Sequence, residues 1–157
     1  MQIHAIAFDD FSSEDYHLIS IHTTLEDYRI AYLLNLYLKL DFKKAKFSLD
    51  FKNQKHDASY SVYEFLDVNT DNYWFLISNV DTVEINVGHS DSLFDETKAT
   101  VHLIPEKKKV DYFLKMEGNY ELSYIRNIID QINKMPQIIT SYLQETNNLK
   151  SKEFLIF

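Results

Sequence analysis

The sequence has no cysteine among its 157 residues. This absence excludes disulfides, thiol nucleophiles, iron–sulfur clusters and every zinc site that uses cysteine, and it is typical of a reducing compartment. Glycine is almost as scarce, since only Gly88 and Gly118 are present. Two isolated glycines cannot form the glycine-rich loops that hold nucleotide phosphates. The sequence also lacks the Gly-x-Ser-x-Gly elbow and the His-Glu-x-x-His pair of two large hydrolase classes.

A long hydrophobic run is missing as well. The longest apolar stretch, residues 30–40, contains Asn35 and Lys39 and falls short of the ~18 residues that a membrane-spanning helix needs. No basic region precedes the first apolar residues, and Asp9 and Asp10 follow them, so we expect no signal peptide. The net charge of -8 argues against binding to the phosphates of DNA or RNA. We therefore expect a cytoplasmic protein with neither a membrane partner nor a nucleic-acid partner.

Aromatic residues, in contrast, are abundant, with 11 Tyr and 11 Phe. Aromatic side chains favour strands and large buried contacts. Apolar patterns predict strands at residues 17–22, 45–51, 59–66, 73–80, 83–87, 98–104, 109–116 and 137–143, with a short edge strand at 3–7. A helical period predicts two helices, at residues 25–38 and 122–132. We predict a single α+β domain over residues 1–157, with a mostly antiparallel sheet of about six to eight strands and two helices packed on one face.

Several local features refine this prediction. Thr24 is predicted to cap the first helix, and Asn35 within that helix needs a hydrogen-bond partner in the core or at an interface. Pro136 ends the second helix, and the strands before and after this helix predict a C-terminal βαβ unit with parallel strands. We expect the apolar residues 154–157 to dock as a last strand, because four exposed apolar residues favour aggregation.

Two stretches carry side chains of the kinds that bind metal ions. The first imitates the start of a calcium-binding loop with Asp67, Asn69 and Asp71. Its sixth and twelfth positions are Asn72 and Ser78 instead of Gly and Glu, so a hairpin turn is the simpler interpretation. The second is residues 88–98, where we expect a mobile loop whose ligand types have no fixed spacing: His89, Asp91, Asp95 and Glu96. We predict no metal site and no cofactor.

The densest cluster of charges beside an apolar run lies at residues 104–112. A hairpin that pairs Leu103 with Val110 places His102 opposite Asp111 on the other face. A carboxylate at that position favours the charged imidazole and orients its ring. The speculative polar cluster is therefore His102, Glu106 and Asp111. It is interpreted either as an acid–base pair helped by Glu106 or as a cross-strand charge pair on the outside of the sheet, with Pro105 starting the turn.

This segment resembles the bacterial IPExxxVDY family. All six named positions of that family match, at Ile104, Pro105, Glu106, Val110, Asp111 and Tyr112. Residues 113–115 continue in the manner of the family, and residues 25–28 and 33–35 resemble its N-terminal region, so the resemblance covers nearly the whole chain. It implies a small cytosolic protein of unknown function, and it provides no established activity or catalytic residue to carry over.

We predict a non-enzymatic protein, either a homodimer or an interaction module that uses a sheet edge or an aromatic-rich face. The missing catalytic motifs and the excess of aromatic residues favour this interpretation, because aromatic side chains are enriched at interfaces. The alternative is a small-molecule-binding protein or enzyme with an aromatic-lined pocket and with Glu106, Asp111 and His102 at its mouth. We assign no catalytic residue.

Overall fold

The computed structural model describes residues 16–52, 56–85 and 97–157. A central antiparallel sheet of six strands has the order β10-β1-β9-β6-β5-β2. Its strands are β1 (Tyr16–Thr23), β2 (Lys43–Lys44), β5 (Val62–Asp67), β6 (Asn72–Ser78), β9 (Tyr112–Glu117) and β10 (Ile138–Gln144). Two smaller antiparallel sheets are formed by β3 (Leu49–Lys52) with β4 (Asp57–Tyr60) and by β7 (Val80–Ile85) with β8 (Thr97–His102).

Both helices, α1 (Asp27–Leu38) and α2 (Leu122–Asn133), pack on the same face of the central sheet. We call this the helix face. The opposite face is covered by the two small sheets and by the C-terminal segment (residues 145–157), and it has a separate hydrophobic core. The predicted α+β domain with its helices on one face is confirmed.

The central strands are apolar throughout because both of their faces are buried. In β6, Trp74 and Leu76 pack under the helices, while Phe75 and Ile77 belong to the core of the opposite face. Adjacent residues of a strand point to opposite sides. A strand with a core on each side therefore has a continuous apolar run and not a simple alternation.

The C-terminal βαβ unit is confirmed. Strands β9 and β10 are both antiparallel to β1, so they are parallel to each other, with β1 between them and α2 as the crossover. The partner predicted for Asn35 is also present: its Nδ2 donates to the Phe42 carbonyl (3.1 Å), and its Oδ1 accepts from the Phe42 N–H (2.6 Å).

The predicted hairpin between residues 98–104 and 109–116 is wrong. Strand β8 pairs with β7, whereas β9 lies between β1 and β6 in the central sheet. His102 is opposite Val80, and a 3-10 turn, Pro105–Lys107, connects the two strands. The physical reason is burial, since β9 is buried on both faces and needs a neighbouring strand on each side.

Other boundaries differ as well. Helix α1 begins after Glu26 and not after Thr24, because Thr23 Oγ1 already accepts a hydrogen bond from the Leu25 N–H. The predicted strand 45–51 is observed only from Leu49, and the predicted strand 59–66 is interrupted at Ser61. The predicted last strand at residues 154–157 is wrong: this end of the chain docks through a 3-10 turn, Lys152–Leu155.

Some predictions fall on residues that the structure does not describe. The edge strand at residues 3–7 lies outside the described residues, as does the loop at 88–98 except for residues 97 and 98, which belong to β8. Within the described ranges, neither helix has the length and apolar character that crossing a membrane requires.

Candidate functional site

The motif segment (residues 104–112) is organised around Asn79, which follows β6 and is fully buried. Its Nδ2 donates to the carbonyls of Lys107 (2.9 Å) and Val110 (2.8 Å), and its Oδ1 accepts from the Ile104 N–H (2.8 Å). Its main-chain N–H and C=O are also paired, with residues at the two ends of the segment. Asn79 therefore holds both ends and the middle of the motif segment, and each of its polar groups has a partner.

The last two motif residues fasten the start of α1. The Thr23 N–H donates to Asp111 Oδ2 (2.9 Å), and the Tyr112 hydroxyl donates to the Leu25 carbonyl (2.7 Å). Burial raises the pKa of Tyr112, so its phenol keeps the proton that this bond requires. These two side chains fix the path of the chain from β1 into α1.

Glu106 holds the C-terminal segment. Its Oε1 accepts from the Ser151 N–H (2.8 Å), and its Oε2 accepts from the Ser151 hydroxyl (3.0 Å). Partial burial opposes the charged carboxylate, but the bonds from Ser151 outweigh it and hold the pKa of Glu106 below its usual value. A charged Glu106 thus fixes the position of the 3-10 turn that carries Phe154.

The predicted cluster of His102, Glu106 and Asp111 does not form one catalytic group. Within the described residues, no hydrogen bond joins the three side chains to one another, because Asp111 bonds to Thr23 and Glu106 to Ser151. Partial burial, together with the neighbouring Lys108, lowers the pKa of His102, while the charge of Asp111 acts weakly in the opposite direction. The imidazole is therefore mainly neutral at neutral pH.

A cleft of about 390 Å³ lies beside His102. Its walls come from β3, β4, β8, the motif segment and the C-terminal segment. The aromatic and basic residues among them are Phe51, Tyr60, Phe154, His56, His102 and Lys108. Glu106 and Asp111 do not line it, so only His102 of the expected three residues lies at this pocket. The arrangement combines aromatic rings with basic side chains, which is a binding chemistry and not an acid–base pair.

The possible metal ligands of the sequence have ordinary roles where they are described. The Asp67 carboxylate accepts hydrogen bonds from the Asn69 N–H (3.1 Å) and from the Thr70 hydroxyl (2.9 Å), which stabilise the turn between β5 and β6. Among the residues that the structure describes, no group of three His, Asp or Glu side chains is placed to hold a metal ion. His89, Asp91, Asp95 and Glu96 lie outside these residues.

Lys115 is a second unusual side chain, which the sequence patterns did not single out. It lies in β9 and is 3% exposed. Its Nζ pairs with Glu117 (3.3 Å) and lies over three rings: Tyr16 (5.1 Å), Phe75 (5.7 Å) and Phe157 (4.6 Å). The available signal was a single lysine within an apolar strand, since such a residue needs both a counter-ion and a cover.

The outer side of α1 is a third feature. Ile30, Ala31 and Leu34 are buried against the sheet, whereas four large apolar or aromatic side chains of the helix are exposed: Tyr28 (55%), Tyr32 (64%), Leu36 (52%) and Tyr37 (43%). We call these four residues the α1 surface. The sequence predicts a helix that is buried on more than one side; in this chain only one side of α1 is covered.

The edge of the central sheet at β10 is blocked by α2. Asn133 Nδ2 donates to the Ser141 carbonyl (3.2 Å), and Asn133 Oδ1 accepts from the Ser141 N–H (2.7 Å). These are the two backbone groups that an added strand would use at the middle of β10. Asn35 makes the same pair of bonds with Phe42, so each helix uses an asparagine to hold the chain that follows it.

These features were compared with known proteins. No family model, no curated protein and no solved structure matches the chain. The arguments about function therefore start from the motif segment, the cleft and the α1 surface.

Proposed function

We propose that the protein is a non-enzymatic interaction module that forms a homodimer through the α1 surface. The observation that carries the proposal is the exposure of Tyr28, Tyr32, Leu36 and Tyr37 on one helix. Large exposed aromatic residues that lie together are typical of interfaces and not of a free surface. No group in the described chain has the arrangement of a nucleophile with its base, which favours a binding role over catalysis.

The α1 surface has the geometry that a two-fold contact needs. Tyr28, Tyr32 and Leu36 are spaced by four residues, so they form one ridge along the helix. In an antiparallel pair of α1 helices centred on Tyr32, the ridge meets itself, and Tyr28 of one copy lies near Leu36 of the other. The four exposed side chains supply roughly 400 Å² per copy, about half of the ~800 Å² that a stable interface needs from each partner.

Charge complementarity also favours a second copy as the partner. Glu26 and Asp27 lie at the N-terminal end of α1, and Lys39 follows its C-terminal end. An antiparallel arrangement brings the acidic end of each helix toward the basic end of the other. The alternative contact through a sheet edge is less favoured, because Asn133 already occupies the backbone groups at the middle of β10.

We further propose a cytoplasmic location and membership in the IPExxxVDY family. The absence of cysteine supports the location. The family assignment rests on the six matching residues of the motif segment. Their structural roles, with Glu106 bonded to Ser151, Asp111 to Thr23 and Tyr112 to Leu25, give a physical reason for such a motif.

The dimer is tested by measuring the mass of the intact chain in solution over a range of concentrations. We expect a particle of about twice 18.6 kDa by sedimentation or light scattering. Tyr32→Glu should weaken dimerisation at least 30-fold, since a charge at the centre of an interface costs about 2 kcal/mol or more. The control Val68→Glu changes a residue that is 79% exposed in a turn and should leave the mass unchanged.

A cross-linking experiment locates the contact. Because the chain has no cysteine, Tyr32→Cys introduces a single thiol, and we expect it to form a disulfide-linked dimer under mild oxidation. Val68→Cys serves as the control and should stay largely monomeric under the same conditions. A monomeric wild-type chain up to about 0.5 mM, or equal cross-linking of both variants, contradicts the proposal.

A further inference from the structure

We propose that the cleft beside His102 binds a small aromatic anion, whose ring packs against Phe51, Tyr60 and Phe154 and whose anionic group pairs with Lys108. The site lies on the face of the sheet opposite the helices, so it is separate from the α1 surface. It also differs from the pocket predicted at Glu106, Asp111 and His102, because only His102 of those three lines it.

The size of the cleft suits a ligand of one or two rings. Its volume of about 390 Å³ lies within the range of roughly 300–1,000 Å³ that is usual for small-molecule sites. The walls come from several separate parts of the chain. Glu106 fixes the part that carries Phe154 through its two bonds to Ser151. The wall is therefore in place before a ligand binds, which lowers the entropy lost on binding.

The aromatic rings of the cleft define its apolar part. Phe51 packs edge-on against Phe154 with centroids 4.9 Å apart and against Tyr60 with centroids 6.0 Å apart. Phe51 and Phe154 are only partly buried, so their rings still offer surface to the cleft. Rings in this arrangement accept a further ring by stacking or edge contact, worth about 0.5–1.5 kcal/mol for each pair.

The charge of the cleft determines the sign of the ligand. The whole chain carries 24 Asp and Glu against 16 Lys and Arg, yet none of the eleven lining residues is acidic. Lys108 is exposed, and it forms no ion pair with a carboxylate in the part of the chain that is described. In an acidic protein such a cleft is a local positive region, and it favours an anion over a neutral or cationic ligand of the same shape.

The test measures the binding of three probes to the full chain by calorimetry and by NMR titration. The probes are 2-naphthoate, its neutral analogue 2-naphthamide, and cyclohexanecarboxylate, which is an anion without an aromatic ring. We expect 2-naphthoate to saturate with a dissociation constant of about 1 mM or tighter and the other two to bind at least 10-fold more weakly. The resonances of His102, Lys108 and Phe154 should shift with 2-naphthoate.

Two variants connect the binding to this cleft. Lys108→Gln should weaken the binding of 2-naphthoate about 10-fold, the loss expected when an ion pair of about 1.4 kcal/mol is removed. Lys109→Gln removes the same charge from the neighbouring exposed residue, which does not line the cleft, and should leave the affinity unchanged. The proposal is overturned by absence of saturation at 10 mM, by equal affinity for 2-naphthamide, or by equal effects of the two variants.

Discussion

Asn79 is the single side chain on which the motif segment depends. Asn79→Ala leaves the Ile104 N–H and the carbonyls of Lys107 and Val110 without their partner. A buried polar group without a hydrogen bond costs about 1–3 kcal/mol. We therefore predict that Asn79→Ala lowers the free energy of unfolding by about 3 kcal/mol or more, as measured by urea denaturation.

The nearly isosteric Asn79→Asp separates hydrogen bonding from volume. Asp keeps an acceptor for the Ile104 N–H, but it cannot donate to the two carbonyls when it is charged. We expect a loss of stability close to that of the alanine variant. Asn127→Ala, at an exposed position of α2, should change stability by less than about 0.5 kcal/mol. A small effect of both Asn79 variants contradicts the role assigned to this residue.

At the scale of the elements, Asn133 connects α2 to the edge of the central sheet. Asn133→Ala removes two side-chain bonds to the Ser141 backbone and leaves a bare edge at the middle of β10. We predict a loss of about 1–3 kcal/mol in the free energy of unfolding and a greater tendency to associate, because an unprotected edge pairs with other chains. Denaturation and light scattering measure the two effects.

The control for this prediction is again Asn127→Ala, which changes an asparagine of the same helix that points to solvent. An unchanged β10 edge in Asn133→Ala, with stability and association both as in the wild type, shows that Asn133 does not protect the edge. The equivalent pair in α1, Asn35 with Phe42, indicates that the two helices use one solution for the chain that leaves each of them.

At the scale of the whole molecule, the C-terminal segment completes the core of the face opposite the helices. Leu155 is fully buried in that core, whereas the adjacent Ile156 is 57% exposed. We predict that Leu155→Ala lowers the free energy of unfolding by about 2–5 kcal/mol, the usual cost of a cavity at a buried leucine. Ile156→Ala, measured by the same denaturation experiment, should cost less than about 1 kcal/mol; equal effects argue that the segment is not part of the core.

Much of the fold could be predicted because burial leaves a periodic pattern. The apolar run of β6 and the amphipathic stripe of α2 are local consequences of the face that each element buries. The pairing of β8 and β9 could not be predicted in the same way. A period identifies the buried sides of a strand, but the neighbours of that strand are set by contacts between distant residues.

The candidate site was predicted less well than the fold. Local order along the chain suggested that His102 and Asp111 face each other, and the structure instead pairs His102 with Val80 and bonds Asp111 to Thr23. Asn79 and Lys108 gave no pattern of their own. The role of a buried asparagine depends on which backbone groups reach it, and the role of an exposed lysine depends on which rings lie beside it.

The amino-acid sequence by itself determined the class of molecule. Composition, apolar periods and missing motifs are local properties, and they establish an α+β domain with two helices on one face, without cysteine chemistry or a phosphate-binding glycine loop. The tertiary structure decided which residues meet. It brought Glu106 to Ser151, enclosed Lys115 with three rings and placed Phe154 beside Lys108, because each of these contacts joins segments that are far apart in the chain and depends on how both faces of the central sheet are covered.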